Sequence, residues 1–271
     1  MALIPIPGLD KSIKGKFIAL SPQRKFVCDL MRYSRKVPSV PSQRRMHLAD
    51  VVSARRSQPR HVSWCAIFLK AYAIVSAANP QLRRCYLPFL WPHIYEHPIN
   101  VASFSLERTY RGEEGVFFAH VPRPELLSLE ELDALVRHHK TADVDSIPHF
   151  RQAMLLSRMP LPLRRLLWWM ALYTDGAARA HFFGTYAVSV VAAFGAGALH
   201  ILSPLTTTLH YGTFDDQGAI DVRLTYDHRV MDGATIARAL TALEEVLQNE
   251  ICAELRALAS PAPARQAAHA S

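Results

Sequence analysis

Apolar residues fall three or four apart in residues 21–34, SPQRKFVCDLMRYS, so Phe26, Val27, Leu30 and Met31 share one face of a helix that Ser21 can cap. Pro38 and Pro41 end that pattern, since neither continues a helix. RRMHLADVV at 44–52 reads as a strand leading into another polar stretch. Residues 61–77, HVSWCAIFLKAYAIVSA, are mostly apolar and predict a buried helix that Asn79-Pro80 ends. INVASFSLE at 99–107 and GVFFAHV at 115–121 read as strands. Ser128 with Glu131 three places on forms a capping box that opens an amphipathic helix to about His139. Pro160 and Pro162 divide the apolar, basic stretch 146–175 into at least two helical pieces, and strands with a turn fill 184–210.

The clearest change of period lies near the end. In AIDVRLTYD, residues 219–227, Ile220, Val222, Leu224 and Tyr226 alternate with polar partners, which predicts a half-buried strand. From Ala234 to Val246 the spacing becomes helical, with Ile236, Leu240, Leu243 and Val246 on one face. SPAPARQAAHAS, from Ser260, carries no packing pattern. The expected division is an N-terminal arm at 1–19, a single domain at 20–258 and a disordered tail at 259–271. Strands and helices mix throughout, so the fold class is α/β or α+β in one domain.

Composition narrows the partners. The 271 residues carry a net charge of +8, and residues 1–60 hold 13 basic and 3 acidic side chains. That bias fits a basic soluble surface or an anionic partner such as a phosphorylated cofactor. No basic–aromatic interleaving, zinc-finger spacing or recognition helix speaks for nucleic acid. Cysteines at 28, 65, 85 and 252 form no CxxC, and no secretory pattern opens the chain, so a reducing cytoplasm is expected. The apolar run 183–205 is broken by Gly195, Gly197 and Pro204, which fits buried strand and turn rather than a membrane span. RLLWWMALY at 165–173 is too short to cross a bilayer and suits core, a subunit contact or an interfacial patch.

The candidate chemistry lies where strand gives way to helix, in TYDHRVMDG at 225–233. His228 sits at the strand's end, Asp232 just ahead of the helix, and Gly233 permits a tight bend or a close approach. A polar turn with an ordinary histidine and an N-capping aspartate satisfies this pattern. So does a general base whose imidazole takes a proton near pH 7, with a carboxylate four residues on in support. His210, Asp215, Asp216, Asp227, His228 and Asp232 show no metal-ligand spacing, so no metal is expected. GxSxG, P-loop and GxGxxG signatures are missing, and Cys65 lies in an apolar helix as core.

DHRVMDG at 227–233 resembles the His-x-x-x-Asp-Gly motif of the catalytic domain of 2-oxoacid dehydrogenase acyltransferases, the E2 components. Chloramphenicol acetyltransferases and the wider CoA-dependent acyltransferase superfamily share its shorter form. RKFVCDLMRYS at 24–34 resembles that family's first helix, IFLKAYAIVSAANPQLRR at 67–84 its apolar helix, and GTYAVSVVAAFG at 184–195 its oxyanion-binding segment. The resemblance spans roughly residues 20–250. It implies a chloramphenicol acetyltransferase-like two-layer sandwich, a mixed β-sheet covered by helices, assembled as a homotrimer or a higher assembly. It makes His228 the general base, Ser189 the oxyanion-stabilising hydroxyl with Thr185 as fallback, and Asp232 a structural carboxylate paired with Arg24. Histidine and hydroxyl come from neighbouring subunits. Acyl-CoA is then a substrate, with a thiol, alcohol or amine as acceptor.

The chain also departs from that family. Swinging lipoyl domains are expected to be absent, because the similarity begins near residue 20, so no lipoyl attachment site is expected. Pro38-Ser39-Val40 replaces the usual proline-histidine, Ala192 stands where a glycine is common, and MPLPLRRLLWWMALYTDG at 159–176 matches no E2 feature residue by residue. These changes point to a free-standing acyltransferase acting on an unusual acceptor or a carrier-bound acyl group. A dihydrolipoamide acyltransferase core served by a lipoyl protein in trans, and a non-catalytic trimeric scaffold, are the rival readings.

Overall fold

The computed structural model describes residues 15–189 and 198–259. Most of the arm expected at 1–19, the tail from Ser260, and Ala192 lie outside the described residues. Its framework is a six-stranded mixed sheet of β1 (Ser39–His47), β4 (Val101–Tyr110), β5 (Glu113–Pro122), β6 (Tyr186–Ser189), β7 (Thr207–Tyr211) and β8 (Ala219–Asp227), in the order β1-β8-β7-β6-β4-β5. A separate ribbon pairs β2 (Arg84–Leu87) with β3 (His93–Glu96). β6 runs parallel to β4 and β7, and the remaining pairs are antiparallel.

Local chemistry explains most elements. Helix α1 (Pro22–Ser34) is capped by the Ser21 hydroxyl, which accepts from the Arg24 amide at 3.2 Å, with proline in its first turn. Helix α4 (Leu129–Thr141) begins with the expected capping box of Ser128 and Glu131. Arg111 and Gly112, both at positive φ, turn β4 into β5. β1 begins earlier than the 44–52 reading, and residues 49–52 open helix α2 (Ala49–Arg56) instead. Pro41 interrupts nothing, because β1 is an edge strand and needs no second partner for its missing amide.

On one sheet face, helices α3 (Trp64–Ala78) and α8 (Gly233–Val246) bury Ile67, Phe68, Tyr72, Ile236 and Leu240 against Phe104, Val188, Leu209 and Leu224. The Phe68 and Tyr211 rings stack there at 4.2 Å. Helix α9 (Cys252–Ala259) follows α8 through a π turn at Leu247–Ile251, so the last helix includes Ala259, which the pattern had assigned to the tail.

The opposite face is covered over β4, β5 and β6 by α1, α5 (Pro148–Arg158), α6 (Leu161–Tyr173) and α7 (Gly176–Phe183). α6 lies within the stretch 159–176 that the family resemblance does not match residue by residue. Trp168 and Leu172 form a second core with Tyr33, whose ring stacks on Trp168 at 5.7 Å. A buried ion pair between Asp29 and Arg164 ties α1 to α6. Leu163, Leu166 and Met170 on α6 are exposed. Among the described residues, no helix is long and apolar enough to cross a membrane.

Candidate active site

β8 was expected to be half-buried, yet Leu224, Thr225, Tyr226 and Asp227 are all buried, because β1 and β7 flank it. Its last residue carries a charge at only 1% exposure. Asp227 accepts from Arg229 Nε at 2.9 Å, from a terminal guanidinium nitrogen at 2.7 Å and from the Arg229 amide at 3.0 Å. This fork closes the turn that carries His228. The Arg229 guanidinium lies over the Tyr86 ring at 4.3 Å. Behind it the buried Arg179 donates to the carbonyls of Tyr86, Leu172 and Pro204. Burial lowers the Arg179 pKa, while Asp227 opposes that shift.

Held in this way, His228 stands out from the sheet end with 48% of its side chain exposed. Its amide donates to the Pro38 carbonyl at 3.2 Å. Its Nδ1 lies 3.5 Å from Asp232 Oδ1, longer than a direct hydrogen bond but close enough to orient a charged ring. With Nδ1 toward the carboxylate, Nε2 is left for proton transfer. Asp232 occupies the N-cap position of α8 without capping through its side chain. Gly233 allows a close approach within the chain: an added Cβ would stand 3.4 Å from the Tyr226 hydroxyl.

The partner implied for Asp232 is elsewhere. Arg24 is exposed in the first turn of α1, where Ser21 bonds Glu113 at the β4–β5 hairpin, and no ion pair joins it to Asp232 among the described residues. The direction of α1 is the reason. Its last turn, not its first, leads into β1 beside His228. Thr185 is not free as a fallback donor, because its hydroxyl accepts from the Val101 amide at 3.0 Å and faces the Val101 carbonyl at 3.3 Å.

Ser189 ends β6 and is half-buried. Its carbonyl receives Nδ1–H of His210 at 3.1 Å, and His210 Nε2 accepts from the Ala198 amide at 3.0 Å. His210 is thereby fixed as one neutral tautomer, and burial lowers its pKa. Both nitrogens are occupied, which removes it as a metal ligand. Among the described residues, no cluster of three or more His, Cys, Asp or Glu could hold a metal ion. Cys65 is buried, and burial pushes its thiol up to about 12.

Sheet register separates Ser189 from His228 within one chain. Ser189 pairs with His210, whereas Asp227 bonds the Thr206 carbonyl four residues back along β7. At standard strand spacings this amounts to about 13 Å along the strands and about 10 Å across them. One carbonyl cannot reach both side chains of the same chain.

The sequence pattern missed the Asp227–Arg229 fork and the buried Arg179. The fork has a visible signal, an acid and an arginine flanking the histidine. Arg179 has none, because its partners are backbone carbonyls brought together by folding.

No protein-family model and no curated protein matches the sequence. Solved structures do. The Azotobacter vinelandii dihydrolipoamide acetyltransferase (E2p) is 17% identical with a TM-score of 0.65, covering 93% of this chain and 100% of that one. A probable dihydrolipoamide acetyltransferase from Listeria monocytogenes is 16% identical at a TM-score of 0.60, covering 90% and 95%. A truncated catalytic core of the 2-oxoacid dehydrogenase multienzyme complex from Thermoplasma acidophilum is 14% identical at 0.63, covering 87% and 99%. The mixed sheet, its helical cover and the histidine turn at the sheet's end thus form the fold of the E2 acyltransferase catalytic domain.

Proposed function

We propose that this chain is a CoA-dependent acyltransferase acting as a homotrimer, with His228 of one subunit and Ser189 of the next completing each site. The observation that carries this reading is the display of His228: an exposed imidazole on a turn clamped by Asp227 and Arg229, with Asp232 at 3.5 Å. The Azotobacter enzyme's catalytic mechanism is described through a serine, a histidine and an asparagine four places after the histidine. His228 and Asp232 have that spacing.

In the proposed reaction, His228 Nε2 takes the proton of an acceptor thiol, alcohol or amine. The acceptor attacks the thioester carbonyl, and Ser189 donates to the developing oxyanion. The carbon–sulfur bond breaks, CoA thiolate leaves, and the imidazolium returns the proton to it. Both substrates meet at one base, so no acyl-enzyme is needed. Four free cysteines suit a reducing cytoplasm. The sequence of α6, which matches no E2 stretch residue by residue, favours a free-standing enzyme with its own acceptor, whereas the fold likeness favours dihydrolipoamide supplied by a separate lipoyl protein.

A screen of acyl-CoA donors with thiol, alcohol and amine acceptors, read by released CoA thiol, tests the reading. Turnover lost in His228→Ala supports it, and equal turnover in that variant contradicts it. Transfer to dihydrolipoamide alone selects the second acceptor.

A further inference from the structure

An apolar cavity lies beside Ser189, and the same chain's His228 does not line it. It holds about 720 Å3 between the sheet and helices α1, α5, α6 and α7. Its cause is the alternation of β4 and β6. Phe104 turns to the packed face, while the cavity floor on these strands includes the small residues Ser103, Ser105, Ala187 and Ser189 beside Leu106 and Val188. Small floor residues leave unfilled the space that the roof, including Leu30 and Trp168, spans. Natural cores are close-packed, so a void of this size under aromatic walls has the dimensions of a ligand site.

We propose, building on the transferase reading, that this cavity receives the hydrocarbon tail of a long-chain acyl donor. Ser189 lines the cavity and is the hydroxyl assigned to the thioester oxygen, so the carbon chain beyond that carbonyl has an apolar space to enter. The walls carry little charge. His120 also lines the cavity, and burial, with His149 adding to it, holds its pKa at about 3, so it is neutral near pH 7. An acetyl group would leave nearly all of this volume empty. A tail that fills it exchanges water for apolar contact at every methylene, a gain of about fourfold in affinity for each one.

The test is calorimetric binding of CoA, butyryl-CoA, octanoyl-CoA and dodecanoyl-CoA to the full chain, with sodium dodecanoate as a separate ligand. Affinity rising at least a hundredfold from butyryl-CoA to dodecanoyl-CoA is expected. Ser105→Ile, which raises the floor, and Ala171→Trp, which lowers the roof from α6, should each move the best-bound chain toward shorter lengths. Equal affinity for all the acyl-CoAs and CoA itself overturns the inference and leaves the transferase reading standing. Dodecanoate binding without binding of any CoA species overturns both.

Discussion

Asp227 and Arg229 grip each other side chain to side chain, and the residue between them is His228. This pairing makes the turn stiff on both sides of the imidazole while leaving the ring itself in solvent. The turn is thus held by a buried carboxylate, while Asp232, 85% exposed, approaches the ring only at 3.5 Å.

The two carboxylates therefore separate on substitution. Asp227→Asn leaves the arginine without its charged partner and should cost about 2 kcal/mol in urea unfolding, less than a fully buried broken pair because Arg229 is partly exposed. Asp232→Asn should leave the unfolding midpoint unchanged and act on turnover alone. Equal destabilisation by both would remove the clamp from the account.

His228→Ala should lower turnover by roughly 10²–10⁴-fold, the usual contribution of a general base, with oligomeric state unchanged in ultracentrifugation. Turnover within threefold or so of the parent would show that another group takes the proton.

How much of this was legible beforehand depends on where each signal resides. His228, the strand before it and the helix after it are local, and the period change at Asp227 marks them. The capping box at Ser128 is equally local. β1 escaped the pattern because Pro41 reads as a breaker until the strand is known to lie at an edge. The distance from Arg24 to Asp232 depends on the direction α1 takes across the sheet, which no spacing encodes. The cavity escaped for a similar reason: Ser103, Ser105 and Ala187 look like ordinary strand residues until they share one floor.

Acid should weaken the fold through two buried histidines. Burial first, then Arg179 and Arg83, holds His97 at about 4, and burial with His149 holds His120 at about 3. Below about 6.5 the unfolded chain binds protons that the folded chain refuses. Their contribution is complete above that pH and declines as pH falls toward 4 and then 3, by roughly 1 kcal/mol per unit for each group. His120→Phe should flatten the loss of stability between pH 6.5 and 4, and an unchanged slope would place the proton uptake elsewhere.

The buried link between Asp29 and Arg164 should matter more than any surface pair. Asp29→Ala strands a guanidinium between α1 and α6 and should cost about 3 kcal/mol or more, measured by urea unfolding. A loss below 1 kcal/mol or so would show that water reaches the arginine.

The shared site is tested most directly by mixing subunits. His228→Ala and Ser189→Ala chains, each nearly inactive alone, are co-expressed in equal amounts and purified together without sorting trimers by composition. If each site draws its imidazole and its hydroxyl from adjacent chains, about a quarter of the parental turnover returns, because random mixing rebuilds one intact site in four. Mixed trimers no more active than either parent variant would contradict the account.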